Sequence, residues 1–312
     1  MTNDPVELVA RAREGNRTSL ARLLSMIERG GEPARAVGRL TYPLGGTART
    51  VGVTGAPGAG KSTLTNALIA AMRADGLGVA VLAIDPSSPF TGGAILGDRV
   101  RMGEHSLDEG VFIRSMATRG HLGGLALATP EAVRLLDATG HERILIETVG
   151  VGQVEVEVAS SADTTVVVVN PGWGDEVQAA KAGLLEIADI FVVNKADRPG
   201  AADAHRDLQQ MLELSAPADG WRPPIIDTIA LEGSGIAELW GALQDHQRHL
   251  DDSGLLDRRR AERLERELRD IVAERLSERA LALCSGDDYD RLHDAVLEHR
   301  LDPWSAADEL LG

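Results

Sequence analysis

A doubly wound α/β fold, with a mostly parallel sheet between helical layers, is the architecture this sequence predicts, and three observations predict it. Seven short apolar runs rich in β-branched residues recur between residues 50 and 230, and polar residues do not alternate with apolar ones inside them. Strands buried on both faces read this way, whereas a strand with one wet face alternates. Helix-like stretches separate the runs, the order that builds right-handed crossovers between parallel strands. A glycine-rich turn joins the first run to the helical stretch after it, at the sheet edge where open parallel sheets collect ligands.

The chain begins helically. Over residues 4–30 two short helices are expected, with Asp4 as a cap, Pro5 at the first helical position, and an apolar face of Leu20, Leu23, Leu24 and Ile27 ended by Gly30 and Gly31. The strand candidates follow: "TVGVT" (50–54), "GVAVLAI" (78–84), "VFIRSM" (111–116), "RILIET" (143–148), "TTVVVVN" (164–170), "DIFVVN" (189–194) and "PIIDTIA" (224–230). Past Leu250 the strand pattern stops, and residues 257–283 read as one long, highly charged helix. Its apolar stripe runs Ala261, Leu264, Leu268 and Ile271, then drifts to Val272, Leu276 and Ala280. So narrow a stripe suits docking against a partner helix; packing on the chain's own sheet domain is equally consistent with it. The expected division is an N-terminal helical segment over 1–48, a nucleotide-binding domain over 49–250 and a C-terminal helical arm over 251–312.

The 312 residues allow one large domain with appendages, or two domains. At 43% hydrophobic and 26% charged residues the composition is that of a soluble globular protein. A net charge of -16 opposes a polyanion, so nucleic-acid binding is not expected. The single cysteine, Cys284, excludes an internal disulfide framework and any Cys-pair zinc site within the chain, and fits a reducing compartment. With a polar N-terminus and no apolar stretch of about eighteen residues, neither export nor a membrane span is expected, and the predicted location is cytoplasmic.

"GAPGAGKST", residues 55–63, satisfies the pattern Gly-x-x-x-x-Gly-Lys-[Ser/Thr] and lies between an apolar strand and a helix, the context that pattern requires. It predicts a P-loop NTPase three-layer fold. Gly55, Ala56, Pro57, Gly58, Ala59 and Gly60 form the cradle, whose glycines let backbone N–H groups turn inward around phosphate oxygens. The positive end of the helix beginning near Lys61 points at the same oxygens. Lys61 is expected to reach the β and γ phosphates, Ser62 to offer its hydroxyl to Mg²⁺, and Thr63 to contact the α phosphate. A ligand-free glycine-rich turn would not require four constrained positions and both flanks to agree.

"NKAD", residues 194–197, closes the run "DIFVVN" at the ligand-collecting edge of the sheet. The Asp197 carboxylate can accept from both the ring N–H and the exocyclic amine of guanine, a pair that adenine does not present. Lys195 would lie along the base plane, and Asn194 would tie this loop to the phosphate loop. Alone the tetrapeptide is weak, but on a later strand of a P-loop domain it selects GTP over ATP. Ile229, Ala230 and Leu231, in "IALEGSGI" (229–236), form a last loop whose backbone could touch the guanine carbonyl, although Gly-Ser-Gly is equally a simple connector.

"ILIETVGVGQ" (144–153) is an apolar strand ending in an acid and then glycines. Glu147 is expected to hold Mg²⁺ through water, and the Gly150 N–H to meet the γ-phosphate, so that this loop senses hydrolysis. Gln153 lies slightly past the position that orients water in Ras-like proteins, which favours a helix-start hydrogen bond for it. Asp85 ends the second long run at the same sheet edge, and Asp98 lies across the segment "TGGAILG". Each is a candidate to position the attacking water or hydrated metal, against the plainer reading of a solvated loop carboxylate.

These stretches resemble the MeaB/ArgK/MMAA GTPases of the SIMIBI class of P-loop proteins. The resemblance rests on the preface "SLARLLSMIE" and then "GAPGAGKSTL", "DPSSPFTGGAILGDRVRM", "FIRSMATRGHLGGLA", "IETVGVGQVEVE" and "GDEVQAAKAGLLEIADIFVVNKAD", which follow one another in that family's order. It implies a slow, Mg²⁺-dependent GTPase that binds GTP and GDP and acts as chaperone of an adenosylcobalamin-dependent acyl-CoA mutase, typically methylmalonyl-CoA mutase. It also implies a homodimer joined through C-terminal helices, with no tightly bound cobalamin on this chain. Lys61 and Ser62 then fall on the phosphate and Mg²⁺ residues, Asp85, Asp98 and Glu147 on the metal and catalytic acids, and Asp197 on the base reader. Arg119 and His121 fall on a switch-adjacent loop. Trp173, Asp175, Glu176 and Lys181 fall on the segment that responds to the mutase, where an exposed Trp173 would make a partner anchor. Asn170 and Trp173 stand where many members carry smaller or aliphatic residues, and Ile229 replaces the usual Ser.

Three rivals are weighed. A nickel-insertion GTPase needs Cys or Cys-His ligands near the switch, and Cys284 is alone in the tail. A kinase of a small molecule or transport protein needs a pocket for its acceptor, which no motif announces. A signal-recognition GTPase needs a Met-rich domain, and the chain has six methionines.

Overall fold

The computed structural model describes residues 3–85, 103–105, 107–117, 124–148, 161–172, 187–214 and 219–312. Three helices open the chain: α1 (Pro5–Arg13), α2 (Arg17–Arg29) and α3 (Gly31–Thr41). The Asp4 side chain caps α1 by accepting from Val6 N (3.2 Å), and Asn16 caps α2 by accepting from Ser19 N (2.8 Å). The helical preface was expected to end at Gly30–Gly31. Instead the two glycines, both at positive φ, turn the chain directly into α3. Pro33 falls in its first turn, where a missing N–H costs nothing, and Ala34 and Val37 face the core.

The remaining elements of the first compact unit are β1 (Arg49–Gly55), α4 (Lys61–Ala74), β2 (Val79–Asp85), β3 (Val111–Ala117), α5 (Gly124–Ala138), β4 (Arg143–Thr148), β5 (Thr164–Val169), β6 (Ile190–Asn194), α6 (Ala201–Leu214), β7 (Ile225–Thr228) and α7 (Ile236–Asp252). The seven strands form one sheet in the order β3-β2-β4-β1-β5-β6-β7. Every pairing between these seven strands is parallel, with Val53 opposite Glu147, Gly55 opposite Val168, and Asn194 opposite Thr228. Alternate residues of β2, β3 and β4 feed two cores, whereas Val166 to Val169 of β5 and Ile190 to Val193 of β6 all join one of them. Val51, Val53, Val81 and Leu145 pack with Leu64 and Leu68 of α4 and Leu239 of α7. Leu82, Ile84, Ile144 and Ile146 pack on the other face with α1, α2 and α5. This double burial is why the strands lack polar alternation. The order reverses at β1, flanked by β4 and β5, so the crevice at its C-terminal end is where a ligand belongs.

The opposite edge of the sheet is closed by buried acids. Asp163 accepts from Thr50 N (3.1 Å) and from Arg260 (2.7 and 3.1 Å), and Arg260 also donates to the Gly46 and Ala48 carbonyls. Asp189 accepts from Thr165 N (2.8 Å) and Arg259 (3.1 Å), and faces His246 at 3.2 Å. Burial pushes the Asp189 carboxyl up, but the hydrogen bond and charge of His246 and the charge of Arg259 together hold it below its ordinary 3.8. Burial likewise lowers His141 beneath its ordinary 6.5, against the opposing pull of the Leu136 carbonyl. Both groups bind fewer protons folded than unfolded over the interval below their ordinary values, so both favour the native state less as pH falls. Calorimetry should show the thermal midpoint declining once pH drops below about 6.5, and falling again below about 4. One proton contributes a slope of at most about 1.4 kcal/mol per pH unit. His141→Gln should flatten the first decline and leave the second.

The chain divides into two compact units, Met1–Arg260 and Ala261–Gly312. A helix α8 (Leu255–Leu283) supplies Arg259 and Arg260 to the first and continues into the second, which adds α9 (Asp287–Leu297) and α10 (Pro303–Leu311). Within the second unit Leu292, Ala295 and Ala306 are buried, Arg291 pairs with Glu309 at 2.9 Å, and Asp302 caps α10. Leu264, Leu268, Val272 and Leu276 of α8 are exposed. No helix among the described residues is long and apolar enough to cross a membrane.

Candidate nucleotide-binding site

At the C-terminal end of β1 the chain enters a tight loop and re-emerges as α4. Gly55 has φ +137° and Gly60 has φ +92°. A methyl group on Gly55 would overlap the Val168 carbonyl of neighbouring β5, and one on Gly60 would overlap the Asn194 amide. Two of the three motif glycines therefore answer to close approach by specific atoms, not to flexibility alone. Gly60 directly precedes α4 with no side-chain cap, so the first-turn N–H groups stay available to an anion.

Lys61 is buried, and its Nζ donates to the carbonyls of Gly55 (2.7 Å) and Ala56 (3.1 Å), which holds the ammonium against the inside of the loop. Ser62 Oγ donates to Glu147 Oε1 at 2.5 Å, and Glu147 is 2% exposed. A strand acid and a helix hydroxyl, far apart in sequence, thus converge at the positive end of α4. Two hard oxygen donors suit Mg²⁺, which takes few protein ligands and completes its shell with phosphate and water. Asp85 ends β2, where Ile84 lies opposite Thr148, which puts its backbone beside the end of β4.

Two strands from β1, Asn194 connects three loops. Its Nδ2 donates to Ala59 O (2.8 Å), and its Oδ1 accepts from Thr228 Oγ1 (3.1 Å) and Ala230 N (3.2 Å). Lys195, at φ +59°, stretches back so that its Nζ donates to Gly58 O (2.6 Å). Asp197 is exposed at the tip, and Ala196 N donates to Thr228 O (3.0 Å). The last loop is closed by Ile229 N donating to Ser234 O (3.1 Å), with Ala230 buried and Leu231 exposed. Ala56 to Thr63, Glu147, Asn194 to Asp197 and Ile229 to Leu231 therefore gather at one sheet edge. Asp98, Arg119, His121, Gly150, Gln153, Trp173, Asp175, Glu176 and Lys181 lie outside the described residues, and for Asp85 only the backbone is described. Sequence reasoning missed Thr54, Thr148 and Thr228, each a polar residue at or next to the end of an apolar strand.

A phosphate loop at the reversal point of a parallel sheet, with an Asn-Lys-x-Asp loop two strands away, defines a P-loop nucleoside triphosphatase of the guanine-nucleotide class. The chain belongs to the MeaB family: the model described as methylmalonyl Co-A mutase-associated GTPase MeaB matches residues 20–285. It is a GTPase. A Pyrococcus abyssi protein named as a GTPase is 50% identical over 308 residues, covering 98% of this chain and 95% of its own. The GTPase ArgK of Escherichia coli is 37% identical, covering 93% and 89%. The methylmalonic aciduria type A homolog of mouse mitochondria is also 37% identical, covering 84% and 64%. A crystal structure described as LAO/AO transport system kinase superposes with a TM-score of 0.74 at 31% identity, covering 99% of this chain and 98% of that one.

Proposed function

We propose that this GTPase works with Mg²⁺ as chaperone of an adenosylcobalamin-dependent acyl-CoA mutase, methylmalonyl-CoA mutase or a relative, gating cofactor loading and protecting the mutase. The observation that supports it best is the family match over residues 20–285, whose description names that mutase. The chemistry at the site agrees with the nucleotide half of the reading. Gly55 to Gly60 are assigned to cradle the phosphates, Lys61 to offset the β- and γ-phosphate charge, and Thr63, in the first turn of α4, to contact the α phosphate. Ser62 and Glu147 hold the ion, which when bound neutralises charge developing on the transferred phosphoryl group. Asp85 and Asp98 are the candidates to orient water, and Gly150 to sense the γ-phosphate. Asn194, Lys195 and Asp197 hold and read guanine, with Ile229, Ala230 and Leu231 behind it. Arg119, His121 and Gln153 are assigned to the switch side, and Trp173, Asp175, Glu176 and Lys181 to the mutase-facing side. Cobalamin belongs to the client, not to this chain.

Residues 1–48 are assigned as a helical segment, 49–250 as the G domain, and 251–312 as an arm that joins two copies; the exposed Leu264, Leu268, Val272 and Leu276 support that last role. The test is release of inorganic phosphate from GTP with and without a purified adenosylcobalamin-dependent mutase. Slow turnover that the mutase accelerates is the expected result. Phosphate appearing on a small-molecule acceptor instead would support the kinase named in the similar crystal structure, and indifference to the mutase would remove the client from the reading.

A further inference from the structure

Two threonine hydroxyls lie side by side at the end of the sheet, one residue away from groups the nucleotide reading uses. Thr148 Oγ1 donates to Thr54 Oγ1 at 3.1 Å and lies 3.5 Å from the Val53 carbonyl. Both threonines are fully buried. Thr54 precedes Gly55 of the phosphate loop, and Thr148 follows Glu147.

The faces decide what this pair does. Leu145 belongs to the core shared with α4, whereas Ile144 and Ile146 belong to the other core. By strand alternation Glu147 therefore points to the α4 face, where it meets Ser62, and Thr148 points to the opposite face. Val53, likewise, packs on the α4 side, so Thr54 shares a face with Thr148. The last two residues of β4 are thus fastened from both faces, by Ser62 on one and Thr54 on the other. The register of β1 with β4 runs from Arg49–Arg143 to Val53–Glu147, so the hydroxyl contact takes over where that ladder stops. Valine has the same shape as threonine and would avoid placing a polar group in an apolar layer. A neutral hydrogen bond contributes little net stability in exchange for that burial. What the hydroxyl adds over valine is direction.

We propose that the Thr54–Thr148 pair is a positioning element for the metal side of the nucleotide site, fixing where the Glu147 carboxylate stands relative to the phosphate loop. This rests on the Mg²⁺ reading given above. Neither threonine is assigned a contact with nucleotide or metal; they act through Glu147.

The experiment is the release rate of a fluorescent N-methylanthraniloyl GDP, measured in EDTA and in saturating Mg²⁺, for the full chain and for Thr148→Val, Thr148→Ser and Thr54→Val. The valine variants should release nucleotide in EDTA as the parent does. The slowing produced by Mg²⁺ should shrink by roughly threefold to tenfold, the worth of one neutral hydrogen bond. Thr148→Ser, which keeps the hydroxyl, should restore it. If Thr148→Val does not fold, Thr54→Val carries the same comparison. A valine variant with the parent's full Mg²⁺ effect overturns the proposal, as does faster release in EDTA or a serine variant that behaves like valine. A parent protein whose release Mg²⁺ does not slow overturns the metal reading itself and this inference with it; failure of the variants alone leaves that reading standing.

Discussion

Lys61→Ala is expected to abolish useful GTP binding. The Lys61 ammonium is the buried cation of the phosphate loop, held at 2.7 and 3.1 Å from the Gly55 and Ala56 carbonyls. Each charge-assisted hydrogen bond is worth about 1.5–3 kcal/mol, and every 1.4 kcal/mol is tenfold in affinity, so losing contacts to two phosphates costs roughly 10²- to 10⁴-fold. Alanine also leaves those two carbonyls without their partner, so thermal stability should fall as well. Titration calorimetry with GTP and GDP measures the first effect and a melting curve the second. The two can be separated by Lys61→Arg, which keeps a cation of different shape: it should recover more stability than affinity, because a planar guanidinium does not fit a site framed for a point charge. Affinity within about threefold of the parent for Lys61→Ala would remove the phosphate assignment.

Asp197→Asn is expected to change which base is bound more than how tightly phosphates are held. Asp197 stands exposed at the tip of a loop whose base is rigidly tied, through Asn194 and Ala196, to the phosphate loop and to β7. A carboxylate accepts from both guanine donors, whereas an amide accepts from one and sets its own N–H₂ against the other. Losing one charged hydrogen bond and creating one donor clash should lower GTP affinity on the order of 10²-fold or more. Xanthosine triphosphate, with a carbonyl in place of the amine, should gain, and tripolyphosphate should bind as before. Competition against a fluorescent guanine nucleotide reads all three. Parallel loss of GTP and tripolyphosphate would mean that the substitution had disturbed the loop and not the recognition of guanine.

Much of the fold was legible because its causes are local. The β-branched runs without polar alternation correspond to β1 to β7 within a residue or two at their ends, since a strand covered on both faces has no solvent side to mark. The third helix was not legible: Gly30–Gly31 reads as a stop, and the turn that restarts the helix at once is set by where Ala34 and Val37 find a core. The long charged helix was legible in extent, from its near-continuous strong helix formers and its stripe. The ion pairs at its start were not, because Arg259 and Arg260 look like two more solvated charges until Asp189 and Asp163, some seventy and a hundred residues earlier, are brought under them.

The same division runs through the site. What the sequence determined by itself is the pair of contiguous words, "GAPGAGKST" and "NKAD", that carry the proposed phosphate and base contacts, because a loop that wraps phosphate or reads a base draws its atoms from neighbouring residues. What only the tertiary structure decided is every contact between those words. The Ser62 hydroxyl meets the Glu147 carboxylate 85 residues away, the Asn194 amide spans 135 residues to Ala59, and Thr148 meets Thr54 across 94. Side-chain hydrogen bonds form only within about 3 Å, so their partners are set by strand order and register, and a linear sequence carries neither.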